Sequence, residues 1–290
     1  MKPAPFAYAA PASFAEAQRL LAEAGGDAKV LAGGQSLVPL LNMRLARPDL
    51  IVDINRIEGA ATITEDGGRV RIEALARHHM AESSPLVTSK VPLLAEAVAQ
   101  IGHVDIRNRG TLVGSVAHAD PVAEIPAVMT ALNGEVEVLG SQGSRLVPAS
   151  EFFVTYLTTA LAPDEVATAI LLPALPPMTG TAFVEFARRH GDFAIVGVAC
   201  QISLHPDGGI REARIALAGV SDTPFRARGA EVELVSRGLG AVPEAVAAVR
   251  EEIDPESDIH APADYRRHLA GVLAKRAIHV AARRARGEAA

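Results

Sequence analysis

The chain has 290 residues but only one cysteine, no excess of basic residues and no apolar run long enough to span a bilayer. A single cysteine excludes an internal disulfide and any cysteine-ligated zinc or iron–sulfur site within the chain. The formal net charge of −6 argues against nucleic acid as a partner. The opening residues lack the apolar core of a signal peptide, so we expect a cytoplasmic protein without a membrane span.

Familiar motifs of catalysis and nucleotide binding are also missing. The sequence has no G-x-G-x-x-G, no G-x-x-x-x-G-K-[ST], no H-E-x-x-H and no G-x-S-x-G. His78 and His79 would point in different directions on a helix, so they would not bind one metal ion together. His118 and Asp120 could share a face, but they lack a third ligand for a metal. Cys200 lies in an apolar stretch that predicts a buried, inert thiol. We therefore expect neither a metal site nor a nucleophile–base pair.

The sequence does have a glycine pair between strand-like and helix-like residues. Residues 29–32 are predicted to end a short buried strand, Gly33 and Gly34 lack a Cβ, and Ser36 can cap a helix over 37–45. The apolar residues of that helix follow helical spacing: Leu37, Leu40, Leu41 and Leu45. Free N–H groups and the helix dipole favour an anion at such a turn, although the pattern also suits an ordinary tight turn.

A second glycine-marked segment lies at residues 111–115 and is also interpreted as a loop that joins strand-like to helix-like sequence. Taken alone, it too is compatible with a simple turn. Together with residues 32–36, it suits a two-point clamp on a ligand that carries two phosphates and a ribose. Backbone donors would bind the pyrophosphate, and the carboxylate of Asp120 could accept hydrogen bonds from ribose hydroxyls.

The remaining pattern divides the chain into two regions, with prolines and a glycine near residues 173–180 as the candidate boundary. Ser13 and Glu16 predict a capping box on the first helix. Before the boundary we predict helix 11–25, strand 50–54, hairpin 62–74, helices 77–82, 92–101 and 123–131, and hairpin 135–148. After it we predict antiparallel strands 182–188, 195–205 and 210–218, followed by helices 226–237, 242–253 and 262–284.

Four segments resemble one family of flavoproteins. The most specific is residues 31–54, which read LAGGQSLVPLLNMRLARPDLIVDI. The supporting segments are residues 106–121, 188–194 and 265–276, in the expected order and spacing. On these residues the chain resembles the FAD-binding medium subunit of bacterial molybdenum hydroxylases, a group that includes the carbon monoxide dehydrogenase medium subunit and the FAD domain of xanthine dehydrogenases.

The resemblance implies an α+β chain. Residues 1–175 would form a PCMH-type (vanillyl-alcohol-oxidase-like) FAD-binding domain of two α/β lobes, at about 1–57 and 58–175. Residues 176–290 would form a C-terminal domain of the CO dehydrogenase flavoprotein type, with a three-stranded antiparallel sheet and a helix bundle.

The resemblance also implies where FAD binds. The pyrophosphate would lie on residues 32–36 and 111–115, with Asp120 near the ribitol or ribose and Phe193 near the flavin ring. The implied FAD-binding residues are Ala32, Gly33, Gly34, Gln35, Ser36, Leu37, Thr111, Leu112, Val113, Gly114, Ser115, Asp120, Leu161 and Phe193. Some flavoproteins of this fold attach FAD covalently through a histidine at the position of Gln35. Glutamine has no nucleophilic ring nitrogen, so we expect non-covalent FAD here.

Three residues depart from the family pattern. Val113 and Ser115 replace the first glycine and the asparagine of a usual T-[IL]-G-G-N loop. A valine adopts a positive φ only at a cost, so either the backbone is extended and Val113 packs away from the ligand, or FAD affinity is reduced. Phe193 replaces a frequent tyrosine, which keeps an apolar stacking role and removes a hydroxyl contact.

The resemblance implies an FAD-carrying electron-transfer subunit of a heteromeric molybdenum hydroxylase. Electrons would come from two [2Fe–2S] clusters in a small partner subunit and pass to NAD, a quinone or dioxygen. A large partner subunit would hold the molybdopterin, in an (αβγ)2 assembly. Two alternatives stay open at this point: a stand-alone FAD-dependent oxidase or reductase of the same fold, and a scaffold that has lost FAD.

Overall fold

The computed structural model describes residues 2–288. The chain begins with a small parallel sheet of three strands in the order β1-β3-β2. Its strands and helices are β1 (Ala7–Ala9), α1 (Phe14–Glu23), β2 (Ala28–Leu31), α2 (Leu37–Asn42) and β3 (Leu50–Asp53). β2, α2 and β3 form the βαβ unit that the sequence predicts. β1 was not predicted, because three residues are too few for a periodic pattern.

The predicted cap of α1 is present. The N–H of Glu16 donates to the hydroxyl of Ser13 at 3.2 Å, and the Glu16 carboxylate accepts from the N–H of Ala12 at 2.9 Å. The Ser13 half of the predicted capping box is therefore present, whereas the Glu16 carboxylate accepts from the residue before the N-cap and not from Ser13 itself.

The second helix is shorter than predicted and is not capped by a side chain. Ser36 precedes α2, but its hydroxyl makes no capping hydrogen bond. α2 ends at Asn42 because Arg44 adopts φ 59° and the N–H of Leu45 donates back to the carbonyl of Leu40 at 2.9 Å, the arrangement of a Schellman motif. Leu45 therefore leaves the helix and is 72% exposed, so the prediction that it shares the apolar face is wrong.

A five-stranded antiparallel sheet follows, in the order β4-β5-β10-β6-β7. Its strands are β4 (Ile63–Asp66), β5 (Arg69–Glu73), β6 (Glu135–Gly140), β7 (Gly143–Pro148) and β10 (Val166–Pro173). Gly67 and Gly68 join β4 to β5 with φ of 56° and 80°, the values of a type I′ hairpin turn. β10 was not predicted, although its continuous apolar run is typical of a fully buried central strand.

Short helices cover this sheet. They are α3 (His78–Glu82), α4 (Pro85–Lys90), α5 (Pro92–Val98), α6 (Val104–Arg109), α7 (Leu112–His118), α8 (Glu124–Leu132) and α9 (Ala149–Phe152), and β8 (Phe153–Thr155) pairs with β9 (Thr158–Thr159) in a separate ribbon. Leu93, Leu94, Ile125 and Met129 are fully buried in the core beneath them.

The last part of the chain is an antiparallel sheet in the order β11-β12-β13-β14, packed with three helices. Its elements are β11 (Thr179–Phe186), β12 (Val196–Leu204), β13 (Ile210–Ala218), β14 (Phe225–Arg226), α10 (Arg228–Arg237), α11 (Val242–Glu252) and α12 (Ala263–Ala285). The three predicted strands are present, and the two-residue β14 adds a fourth. The predicted boundary falls between β10 and β11.

The C-terminal sheet is covered on both faces. Ala199 packs in the same core as α8, whereas its neighbour Cys200 packs in the core formed with α12. All nine residues of β12 are buried for this reason. Burial raises the pKa of the Cys200 thiol, in agreement with the inert thiol that the sequence predicts. Within residues 2–288, no helix combines the length and the apolar character needed to cross a bilayer.

Candidate cofactor site

The turn after β2 packs directly against the end of α6. A Cβ at Gly33 would lie 2.5 Å from the carbonyl oxygen of Arg109 and 2.7 Å from the Cα of Gly110. Gly34 adopts φ 71°, which glycine tolerates without strain. Only a glycine at position 33 allows this backbone contact. The structure thus brings the glycine pair at 33–34 into contact with Arg109 and Gly110, which immediately precede the second glycine-marked segment at residues 111–115.

His78 supports this contact from behind. Its backbone N–H donates to the carbonyl of Gly110 at 3.0 Å, and a Cβ at Gly110 would lie 2.7 Å from the imidazole Cδ2 of His78. Burial, together with the nearby charges of Arg107 and Arg77, lowers the pKa of His78 to about 4. The imidazole is therefore neutral at physiological pH, and its buried Nδ1 has no hydrogen-bond partner.

A cavity of about 640 Å³ opens beside the glycine turn, within the range of cofactor pockets. Its walls come from the β2 turn, the start of α2, the carboxyl end of β3, the start of α3 and the end of α6. The lining residues are Leu31, Ala32, Gly33, Gly34, Gln35, Val38, Pro39, Asp53, Asn55, Arg77, Asn108 and Arg109.

A chain of hydrogen bonds holds one wall of the cavity. The hydroxyl of Tyr8 donates to Asp53 Oδ2 at 2.6 Å, and the Asn55 amide donates to Asp53 Oδ1 at 2.6 Å and to the carbonyl of Ala32 at 2.8 Å. Arg77 donates to Asn55 Oδ1 at 2.6 Å. These bonds connect β1, β3 and the glycine turn to the residue that precedes α3.

The pKa values of two charged groups of the cavity, Asp53 and Arg77, lie below their usual values. Burial alone would raise the pKa of Asp53, but hydrogen bonds from Tyr8 and Asn55 outweigh it, so the net pKa lies below its usual value. Burial and the neighbouring guanidinium of Arg109 lower the pKa of Arg77, which also donates to the Arg109 carbonyl. Two adjacent guanidiniums repel each other, and a bound anion would relieve that repulsion.

Residues 111–115 are not a loop, as the sequence had suggested, but the first turn of α7. Thr111 is its N-cap, and its hydroxyl accepts from the N–H of Gly114 at 3.1 Å. Leu112 and Val113 are buried in a core that also contains residues of the five-stranded sheet and of the C-terminal sheet. Val113 needs neither a positive φ nor an extended backbone, because it is helical. Its side chain points into the protein core and does not line the cavity beside the glycine turn.

The first predicted segment surrounds the cavity more closely. Ala32, Gly33, Gly34 and Gln35 all contribute to the lining, and the Gln35 amide donates to the carbonyl of Gly33 at 3.2 Å. Ser36 and Leu37 are half-buried beside it, whereas Gly114 and Ser115 are half-buried on α7.

Asp120, Leu161 and Phe193 lie outside this cavity. α7 separates Asp120 from Thr111 by about 10 Å at 1.5 Å per residue, and Asp120 Oδ1 accepts from the N–H of Val122 at 3.1 Å. Leu161 is half-buried against the core of the second lobe. Phe193 is 68% exposed in the segment between β11 and β12. Their roles as FAD-binding residues stay predictions.

Two buried carboxyl groups that sequence reasoning missed lie near Asp120. Burial, with a contribution from Asp120, raises the pKa of Glu124 to about 7. Burial, with a contribution from Glu124, raises the pKa of Glu185 to about 8, and Glu185 Oε2 has no hydrogen-bond partner. Glu124 begins α8, which packs on the C-terminal sheet, and Glu185 is the penultimate residue of β11 in that sheet. Nothing in the local sequence signals the proximity of Glu124 and Glu185, because the two residues are far apart in the chain and only the tertiary structure brings them together.

The other cavity residues missed from sequence are Leu31, Val38, Pro39, Asp53, Asn55, Arg77, Asn108 and Arg109. Asn55 follows strand-like sequence directly, as binding residues of α/β folds do, and Arg77 lies shortly after the predicted hairpin 62–74. Arg109 adjoins the second glycine segment, so proximity to the two motifs was the available signal. No group of three or more histidine, cysteine or acidic side chains suited to a metal occurs in residues 2–288.

The cavity fits a dinucleotide diphosphate on three counts. The glycine turn forms part of the lining, Arg77 and Arg109 line the same space, and the volume is adequate. The arrangement is that of a chain of mixed α and β structure that binds FAD or another nucleotide.

Comparison with known proteins identifies the family. The family model described as the FAD binding domain in molybdopterin dehydrogenase matches residues 4–175, and the one described as the CO dehydrogenase flavoprotein C-terminal domain matches residues 181–281. The chain belongs to this family of FAD-binding oxidoreductase subunits, and FAD is its cofactor. The family resemblance and the α+β fold predicted from sequence are thereby confirmed.

Relatives match along almost the whole length. Subunit alpha of the 6-hydroxypseudooxynicotine dehydrogenase complex of Paenarthrobacter nicotinovorans is 42% identical over 99% of this chain and 97% of the relative. The carbon monoxide dehydrogenase medium chain of Hydrogenophaga pseudoflava is 38% identical over 97% and 98%, respectively. A chain in the structure of reconstituted CO dehydrogenase from Oligotropha carboxidovorans has a TM-score of 0.95 at 36% identity, covering 98% of this chain and 100% of that one.

Proposed function

We propose that this chain is the electron-transfer subunit of a heteromeric molybdenum hydroxylase. It would receive electrons from [2Fe–2S] clusters of a small partner subunit and deliver them to an external acceptor, either NAD, a quinone or dioxygen. A large partner subunit would hold the molybdopterin and oxidise the substrate, in an (αβγ)2 assembly. Full-length similarity to chains named as a medium chain or as a subunit of a complex supports this assignment.

The close approach of Gly33 to Arg109 and Gly110 is the observation that carries the proposal. It places the glycine turn beside Arg77 and Arg109 at one cavity, where a diphosphate would gain hydrogen bonds and charge neutralisation. Bound FAD would supply electron storage, and the protein would position it. Gln35 has no nucleophilic ring nitrogen, so we propose that these contacts, without a covalent bond, hold FAD.

The position of Cys200 supports the need for a partner. It is the only cysteine of the sequence and is fully buried, so this chain has no thiolates with which to ligate an iron–sulfur cluster. Electrons from such clusters would have to enter from another subunit. The scaffold alternative loses its main support, because Val113 packs into the core and leaves the cavity open.

The first test is the flavin content of the full-length chain. The purified protein should be yellow and should release FAD on heat denaturation, because the contacts are non-covalent. Gly34→Val should abolish retention, since valine disfavours the φ of 71° at this position. A colourless chain that does not bind added FAD would contradict the proposal.

The second test concerns partners and acceptor. Affinity purification from the native source should yield two further subunits, one with [2Fe–2S] clusters and one with molybdopterin. After anaerobic reduction of the complex, stopped-flow mixing with NAD, a quinone or dioxygen identifies the acceptor by its reoxidation rate. A chain that turns over a small substrate without any partner would instead be a stand-alone oxidase or reductase.

A further inference from the structure

Asp53 occupies a position that is suited to recognise a ribose. β2 and β3 are parallel neighbours in which Leu31 is paired with Asp53, so the carboxyl ends of both strands lie at the same edge of the sheet. The glycine turn leaves that edge after β2, and Asp53 faces the same cavity from the end of β3. In βαβ nucleotide folds, an acidic residue near such a glycine turn accepts hydrogen bonds from ribose hydroxyls.

The local contacts hold this carboxylate ready and leave it capacity to accept. Oδ1 accepts from both the N–H and the side-chain amide of Asn55, at 3.0 and 2.6 Å. Within residues 2–288, Oδ2 accepts only from the hydroxyl of Tyr8, at 2.6 Å. A carboxylate oxygen accepts about two hydrogen bonds, so Oδ2 has one acceptor position left. Three donors therefore fix the orientation of the group that borders the cavity.

The walls of the cavity indicate which end of FAD it receives. Every lining residue belongs to the first 109 residues, and none comes from the segment that carries Phe193. We place the diphosphate beside the guanidiniums of Arg77 and Arg109. The sugar next to it is therefore either the ribose of the adenosine half or the ribitol of the flavin half. A carboxylate matches a ribose diol, and Val38 and Pro39 offer apolar contact to a base.

We propose that this cavity binds the adenosine diphosphate half of FAD and that Asp53 accepts hydrogen bonds from the ribose hydroxyls. This inference rests on the proposed function, because it concerns FAD in the same site. It makes Asp53 a specificity-determining residue. The chain should bind ADP as a fragment, bind deoxyribose analogues less tightly, and disfavour a 2′-phosphate beside the fixed negative charge.

The test uses the full-length chain stripped of flavin, with affinities measured by isothermal titration calorimetry for FAD, ADP, 2′-deoxy-ADP, 3′-deoxy-ADP and FMN. The wild-type chain should bind ADP about tenfold or more tightly than at least one deoxy analogue. Asp53→Asn should weaken FAD and ADP about 10- to 100-fold and remove the preference for ADP over that analogue. FMN, which lacks adenosine, should bind both proteins equally.

Two control variants separate recognition from folding. Asp49→Asn changes an exposed carboxylate at the opposite end of the same strand and should leave every affinity unchanged. Tyr8→Phe removes one hydrogen bond from Asp53 but keeps the carboxylate, so discrimination between ADP and deoxy-ADP should persist. If Asp53→Asn fails to fold, the wild-type comparison of ADP with 2′-phospho-ADP still decides, since ADP should bind at least tenfold more tightly.

The outcomes distinguish this inference from the proposed function. Tight FAD binding with equal affinity for ADP and both deoxy analogues would overturn the role of Asp53 and leave the proposed function intact. Loss of FMN affinity in Asp53→Asn would place the flavin half in this cavity and overturn the inference as well. A wild-type chain that binds neither FAD nor ADP would overturn both.

Discussion

Arg77 donates a hydrogen bond of 2.6 Å to the side-chain oxygen of Asn55 and so joins the start of α3 to the end of the three-stranded parallel sheet. Asn55 follows the last strand of the parallel sheet, whereas Arg77 precedes the first helix after the β4–β5 hairpin. Because the same guanidinium donates to the carbonyl of Arg109, it holds both sides of the cavity at once. The site therefore depends on a long-range polar contact as much as on its glycines.

Arg77→Ala should weaken FAD binding about 10- to 100-fold, because charge-assisted hydrogen bonds to a diphosphate are lost together with the bond to Asn55. Fluorescence titration of the flavin-free chain measures the change. Arg19→Ala is the matched control, since Arg19 is exposed on α1 and pairs only with Glu23. Equal FAD affinity in Arg77→Ala and wild type would show that the guanidinium does not contact the cofactor.

Gly33→Ala should disrupt the site more than any other single methyl group added to the turn. The new Cβ would lie 2.5 Å from the Arg109 carbonyl oxygen, so the two lobes must separate there. We expect a loss of stability of about 1–3 kcal/mol and loss of bound flavin, measured by urea unfolding and by absorbance at purification. Gly240→Ala, at a position with no atom within 4 Å of the added Cβ, should behave as wild type.

Val113→Gly restores the family pattern but should not improve FAD binding. Val113 is 2% exposed and helical, so the change creates a cavity and adds a glycine to a helix. The expected cost is about 2–4 kcal/mol of unfolding free energy. Thermal unfolding measures it, and FAD affinity below the melting range should remain within about twofold. A clear gain in affinity would mean that Val113 does crowd the cofactor.

The contribution of Glu124 and Glu185 to the stability of the chain should decrease as pH rises from about 4.5 to about 8. The pKa of Glu124 rises from 4.5 to about 7, and that of Glu185 rises from 4.5 to about 8, chiefly because both groups are buried. The folded state therefore keeps protons that the unfolded state has already released, and ionisation of these buried groups favours unfolding.

Glu185→Gln isolates this effect, because glutamine keeps the shape and cannot ionise. Urea unfolding at pH 8.5 should show the variant to be more stable than wild type, whereas the two should differ little near pH 5. Glu256→Gln, which alters an exposed carboxylate, serves as the control. A constant difference between Glu185→Gln and wild type at every pH would contradict the assignment of the titration to Glu185.

Much of the fold follows from local signals in the sequence. The glycine pair at 33–34, the βαβ unit around it and the hairpin through Gly67 and Gly68 each obey short-range rules of backbone geometry. The resemblance over residues 31–54 then identified FAD as the ligand. These features were predictable because neighbours in sequence determine them.

Two features of the fold, the helix that begins after Thr111 and the strand β10, could not be predicted from local sequence. The second glycine segment was interpreted as a loop because its glycine lies between strand-like and helix-like sequence, yet Thr111 caps a helix whose Leu112 and Val113 enter the core. β10 was overlooked because a short apolar run does not distinguish a central strand from a buried helix. Burial against distant residues decided both cases.

The sequence by itself determined the family, the cofactor and the bare glycine turn, since these depend on residue identities and local backbone freedom. Only the tertiary structure decided that Gly33 touches Arg109 and Gly110, that Asp53 and Arg77 share one cavity, and that Val113 faces the core. Such contacts join segments far apart in the chain, and they form because packing two lobes together buries apolar area and satisfies polar groups.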